Sequence, residues 1–292
     1  MTRSLTHRSA ATLVASLALA TSAQATLIAY DPFLSGGNRG AGEYTAGSDM
    51  RTMGAAALGW VGGPPDGFGV AHSGSTGNFV ANAVGEDSAA VSYEQGGRMQ
   101  WLGVGNFPFN RNLTRQLNPT PASTEWWMSI QVNRLGWADS ATNTFAVGGF
   151  TDGAGNGLQV GYDDTAGNNI PDLVLRTNGT NIVLASDVPS SDNQLVIIKM
   201  DVDVAGNETL SIWVDPASVF DAPDIVDSTL DITSSTTPFT QSKYESPGQS
   251  GVVFFDEVRL ATSFEGATGV PEPTSLALLG LGGLLVARRR RG

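Results

Sequence analysis

The chain has 292 residues, with 16 Lys and Arg against 28 Asp and Glu and a formal net charge of −12. That acidity disfavours nucleic acid and anionic lipid as electrostatic partners, because both reward positive charge. The absence of cysteine excludes a disulfide scaffold, and 36 glycines without a fixed period exclude collagen and fit a turn-rich β protein.

In chain order, Arg3 and Arg8 form a basic start, Ala10 to Ala20 an apolar stretch, and Ala23-Gln24-Ala25 an A-x-A cleavage site. This is the layout of a secretory signal peptide over residues 1–25, cut by signal peptidase to leave Thr26 as the mature start. The leader carries two basic residues, and the last 23 residues carry four more plus Glu272. Between them stand 10 basic and 27 acidic residues, a net charge of −17. A span of this length can bury a core without disulfides.

The middle reads as strands. Trp126 to Val132 and Thr144 to Phe150 are β-branched and aromatic, and a turn follows from Asp152 to Gly157. Leu158 to Tyr162 returns with a period of two, which predicts a hairpin. Asp172 to Arg176 and Ile182 to Leu184 flank Asn178-Gly179, the residue pair of a type I′ turn. Leu195 to Val204 and Thr209 to Val214 form the next pair, turning through Ala205 to Glu208, and Val252 to Leu260 is a late strand. No window between residues 26 and 265 sustains a helical period. The expectation is an all-β fold, an antiparallel two-sheet sandwich, as one domain over residues 26–265. Asp215 to Gly251 is expected to be a surface excursion with one short strand or turn, and residues 266–269 a linker.

Catalysis finds little to work with. The mature span has one histidine, His72, and no Gly-x-Ser-x-Gly elbow, P-loop lysine motif or dinucleotide fingerprint. A His/Cys zinc site lacks ligands. Adjacent Asp256 and Glu257 are expected on opposite faces of their strand, which keeps them from acting as a glycosidase pair. The expectation is a protein that is not an enzyme.

Calcium has candidate ligands. Asp201 and Asp203 alternate before a glycine turn, and a plain hairpin with solvent-facing aspartates reads the same residues as well. Asp152, Asn156, Asp163 and Asp164, with Asn168 and Asp172 nearby, offer loop oxygens of the kind calcium accepts. Asp31 and Asp256 form a third set if the terminal strands are neighbours. Six tryptophans could supply stacking faces for a sugar: Trp60, Trp101, Trp126, Trp127, Trp137 and Trp213. Most are expected in the core, while Trp60 and Trp137, in glycine-flanked segments, are the candidates to reach a loop surface and a ligand.

The chain closes with Val270-Pro271-Glu272-Pro273, an apolar run from Thr274 to Ala287, then Arg288, Arg289, Arg290, Arg291 and Gly292. The prolines stop a helix from propagating upstream. The apolar run is shorter than the about 20 residues of a comfortable span, and the arginines favour the cytoplasmic side. Residues 270–292 resemble the PEP-CTERM sorting signal of exported bacterial proteins. That resemblance implies a transiently inserted short transmembrane helix in the inner membrane and an exosortase-type processing protease as partner. It further implies a destination at the cell surface or extracellular matrix of a Gram-negative, exopolysaccharide-producing bacterium. A plain anchor without processing is the alternative.

Four further segments resemble the concanavalin A-like, or laminin-G-like, jelly rolls that often precede such tails. They are Ile28 to Phe33, Gly59 to Gly63, Leu210 to Pro216 and Phe255 to Thr262. The resemblance implies that first and last strands lie side by side, with Tyr30 near Val258, and carbohydrate binding by the sandwich is the leading functional expectation. A structural or adhesive protein without a small ligand, and a glycoside hydrolase, are the competing readings.

Overall fold

The computed structural model describes residues 27–31, 69–70, 79–82, 98–102, 110–136, 145–164, 168, 170–189, 193–217, 221–233, 235–247 and 252–269. The expected signal peptide, the tail after Gly269, Trp60, His72 and Trp137 lie outside the described residues. The strands are β1 (Leu27–Asp31), β2 (Gly69–Val70), β3 (Phe79–Asn82), β4 (Arg98–Leu102), β5 (Asn110–Gln116), β6 (Glu125–Gly136), β7 (Phe145–Thr151) and β8 (Gly157–Asp163). There follow β9 (Asp172–Thr177), β10 (Thr180–Ala185), β11 (Gln194–Asp201), β12 (Thr209–Val214), β13 (Ile225–Asp227), β14 (Gln241–Pro247) and β15 (Val252–Ala261). One short helix, α1 (Phe264–Thr268), comes after them.

The strands form two antiparallel sheets. The first runs β13-β12-β11-β6-β15-β4-β3, with β1 also on β15, and the second runs β10-β9-β8-β7-β14-β5-β2. Alternation with a period of two builds the core between them. From the first sheet come Trp126, Met128, Ile130 and Val132 of β6, and Val196, Ile198 and Met200 of β11. Facing them from the second sheet are Phe150, Val160, Tyr162, Leu173, Leu175 and Tyr244. Each fully buried aliphatic side chain stabilises by about 1.5–3 kcal/mol relative to exposure. Trp126 meets the Phe239 ring edge-on at 5.4 Å.

The terminal strands are neighbours. In the register of β1 on β15, Tyr30 stands opposite Arg259 and Asp31 opposite Val258, one position from the expected pairing. The other edge of β15 pairs along β6 from Val252 to Ala261. That pairing skips between Asp256 and Arg259, where Glu257 takes a left-handed φ of 51°. The bulge resets the alternation: Val253 and Phe255 face the core before it, Val258 and Leu260 after it. Asp256 and Glu257 therefore sit together between two inward-facing residues, which corrects the expectation of opposite faces. Glu257 is buried and pairs with Arg259 at 3.5 Å.

Three further expectations change. Residues 266–269 belong to a docked helix and its cap. Ser263 caps α1, its Oγ accepting from the Gly266 N–H, and Gly269 closes it at φ 70°. The excursion from Asp215 to Gly251 holds two strands, and β14 is central, lying between β7 and β5. β11 ends at Asp201 because Asp203 turns the chain, its Oδ1 accepting from the Ala205 N–H at 3.0 Å. The Asn178-Gly179 turn is observed as expected, with φ of 48° and 78°.

The β7–β8 ribbon packs its backbones closely. A Cβ added at Gly161 would stand 2.0 Å from the Ala146 carbonyl oxygen, whereas at Gly153 it would meet nothing within 4 Å. Gly161→Ala should therefore lower unfolding stability by about 1–3 kcal/mol, and Gly153→Ala should be close to neutral. Urea unfolding of the two variants beside the parent checks this.

Candidate functional site

One end of the sandwich carries a polar cavity of about 390 Å³. Its walls are the β7–β8 turn (Asp152, Asn156), the β9–β10 turn (Asn178) and the segment after β13 (Asp231, Ile232, Thr233, Ser235, Thr237, Pro238). Each wall is held from within. Asp152 Oδ1 accepts from the backbone N–H groups of Ala154 and Asn156 at 2.8 Å, and Oδ2 accepts from Asn156 Nδ2 at 2.9 Å. Asn178, at the first position of its type I′ turn, donates from Nδ2 to the Asp231 carbonyl at 2.8 Å.

The third wall is a ladder of hydroxyls. The Ser235 N–H donates to Thr233 Oγ1 at 3.0 Å, the Thr237 N–H donates to Ser235 Oγ at 3.1 Å, and the Ser235 and Thr237 hydroxyls lie 3.1 Å apart. Glu208, fully buried, pins this segment from behind: its Oε2 accepts from the Ile232 N–H at 2.5 Å. The described lining thus offers two carboxylates, two amides and three hydroxyls, with no aromatic or basic side chain. Such a lining suits a hydroxylated neutral ligand that both donates and accepts hydrogen bonds.

The expected calcium ligands separate. Asp152 and Asn156 belong to this cavity. Asp163, Asp164, Asn168 and Asp172 lie toward the other end of β8, roughly 20 Å away at strand rise. There Asp163 stands opposite Asp172 and accepts from Asn181 Nδ2. Asn168 donates its N–H to Asp164 Oδ1 at 3.1 Å and its side-chain amide to Asp187 Oδ1 at 2.9 Å. Asp201 pairs with Lys199 at 2.9 Å, and Lys199 also reaches Glu125 at 3.1 Å. Asp201 and Asp203 thus have local hairpin roles. Asp31 lies across from Val258, two positions from Asp256. Among the described residues, no three His, Cys, Asp or Glu side chains gather to hold a metal ion.

The described tryptophan side chains serve packing. Trp126 is in the core, and Trp127 stacks on Trp213 at 5.7 Å on the far face of the first sheet. The cavity itself was not foreseen in its third wall. The alternating Thr233-x-Ser235-x-Thr237 pattern is the sequence signal that could have pointed to it.

The fold and the cavity define an antiparallel β-sandwich with a polar end site. Residues 269–291 match the PEP-CTERM protein-sorting motif. The tail is a PEP-CTERM sorting signal, which marks an exported protein sorted to the cell surface and is a substrate signal for exosortase processing. No curated protein matches the chain in sequence. Similar solved structures include the endo-β-1,4-glucuronan lyase of the fungus Trichoderma reesei, at 12% identity over 62% of this chain and 88% of that one, with a TM-score of 0.39. The carbohydrate recognition domain of Emp46p in its metal-free form is 14% identical over 56% of this chain and 81% of its own, TM-score 0.37. The exoplasmic domain of VIP36, bound to Ca2+ and Man3GlcNAc, is 11% identical over 62% and 82%, TM-score 0.39. At TM-scores this low the three bring no function to this chain.

Burial pushes the Asp163 carboxyl above the usual aspartate value of 3.8, against the pull of Asn181 and Arg176. The folded chain then holds this proton more tightly than the unfolded chain does. Stability from this group is highest below pH 3.8, falls as pH rises toward the raised value, and levels off above it. Asp163→Asn keeps an acceptor for Asn181 and removes the charge. Its stability relative to the parent should rise with pH over that window, as read by urea unfolding from about pH 3 to about pH 7.

Proposed function

We propose that the protein is a surface or matrix component whose sandwich binds extracellular polysaccharide through the cavity between the β7–β8 turn, the β9–β10 turn and the Asp231–Pro238 segment. The observation that carries this reading is the lining: amides, hydroxyls and carboxylates converge, with no basic group among the described residues that line it. The net charge of −17 over the mature span repels acidic glycans, so neutral polysaccharides are the favoured class. Calcium would draw on Asp152, Asp231 and neighbouring amide and hydroxyl oxygens, and would extend the range to acidic chains by bridging. The third wall supplies the adjustable contacts, since serine and threonine hydroxyls rotate to donate or accept.

A structural matrix role without a glycan ligand has one observation in its favour. Trp126, Trp127 and Trp213 are committed to packing, and the described cavity lining offers no aromatic stacking face.

Binding of the mature protein to a panel of neutral and acidic polysaccharides, with calcium and with chelator, separates the two. The cavity reading expects retention on a neutral glycan. It also expects Asp231→Ala combined with Thr237→Val to weaken that retention by roughly tenfold or more, the loss of about 1.4 kcal/mol of hydrogen bonding. No retention in any condition would leave the structural role.

For the tail, replacing Arg288 to Arg291 by serine should leave export intact and impair retention or processing, because the basic end fixes topology at the inner membrane. Unchanged mature mass and location would defeat that expectation.

A further inference from the structure

The folded sandwich runs almost to the sorting motif. Gly269, the left-handed cap of α1, donates its N–H to the Glu265 carbonyl at 2.8 Å. Only Val270 stands between that cap and Pro271. The residues just upstream are neither extended nor open. Gly266, Ala267 and Thr268 are buried. Phe264 packs edge-on against Trp127 at 5.3 Å. The Ser129 hydroxyl donates to the Ala267 carbonyl at 2.6 Å.

The seat of α1 also includes the start of the mature chain. A Cβ at Gly266 would meet Ala261 Cβ at 2.7 Å and the Leu27 backbone nitrogen at 3.2 Å. Four residues separate Gly269 from Thr274, where the apolar run begins, so the two are five residue steps apart. That is at most roughly 17 Å of extended chain, against a headgroup layer of about 5–8 Å on each side of the hydrocarbon. The corner formed by α1 and Leu27 is therefore held close to any protease that works on the tail at the membrane surface.

We propose that α1 is a gate on tail processing. Docked on Trp127 and the start of β1, it keeps the chain upstream of Pro271 folded and out of the protease's reach, and processing proceeds from the undocked state. The apolar dock is small, centred on Phe264 and Ala267, so it can open without global unfolding. Processing then runs at the intrinsic rate multiplied by the open fraction. The gate rests on the processing of the tail and not on glycan binding, so the two readings fail separately.

The test follows tail removal by pulse-chase and mass in cells that make the full chain and its processing protease. One variant inserts four Gly and Ser residues between Gly269 and Val270. A second carries Phe264→Ser. Both should be processed faster than the parent, by roughly tenfold where the docked state dominates, and their combination no faster than the insertion alone. Signal-peptide removal should be unchanged in all of them. An insertion variant processed at the parent's rate, or more slowly, overturns the gate. Should Phe264→Ser fail to fold, judged by protease resistance of the sandwich, the insertion decides alone because it leaves the sandwich untouched. A parent chain that keeps its tail defeats the processing reading and the gate with it.

Discussion

The structure depends on β15. No other described strand pairs with three partners. It carries β6 along one edge, and β4 and then β1 along the other. The bulge at Glu257 makes this possible. Without the phase reset, a strand that turns Val253 and Phe255 inward would turn Glu257 and Arg259 inward as well, placing charge where Val258 and Leu260 now pack. A left-handed residue in a strand carries a conformational cost of order 1–3 kcal/mol. Pairing on both edges and the buried contact with Arg259 offset it.

Strands with β-branched and aromatic alternation were legible. Thr209 to Val214 is observed residue for residue, and the Asn178-Gly179 turn follows from the need for two positive φ angles. β14 was not legible. Its sequence, Gln-Ser-Lys-Tyr-Glu-Ser-Pro, is polar, and of its described side chains only Tyr244 is a large group turned toward the core. Its place between β5 and β7 comes from tertiary pairing that no local pattern announces. α1 is too short to show a period, although Ser263 and Gly269 are the residues a start and a stop call for.

The candidate site was legible in fragments. Asp152 and Asn156 stood out as loop oxygens, but they were grouped with Asp163 and Asp164, which the length of β8 carries to the other end of the sandwich. The actual neighbours come from the β9–β10 turn, which supplies Asn178, and from the connection between β13 and β14, which supplies Asp231 to Pro238. The order of the second sheet brings the first two turns to one end, and the crossover from β13 in the first sheet to β14 in the second adds the third wall. Spacing along a chain reports distance well within a hairpin and poorly between them.

The pairing of β1 with β15 has a consequence for folding in time. These strands lie more than 220 positions apart in the chain, with Leu27 opposite Ala261. Such non-local closure is slow, because loop entropy must be lost before contacts reward it. An exported chain that emerges amino end first has no β15 until nearly all of it has crossed. Until then the edges of β6, β4 and β1 that it will cover stand open, the condition in which sheets join the wrong partners. The strand that joins the most partners is thus the last of the described strands to arrive, and the first sheet closes only when almost the whole chain has crossed.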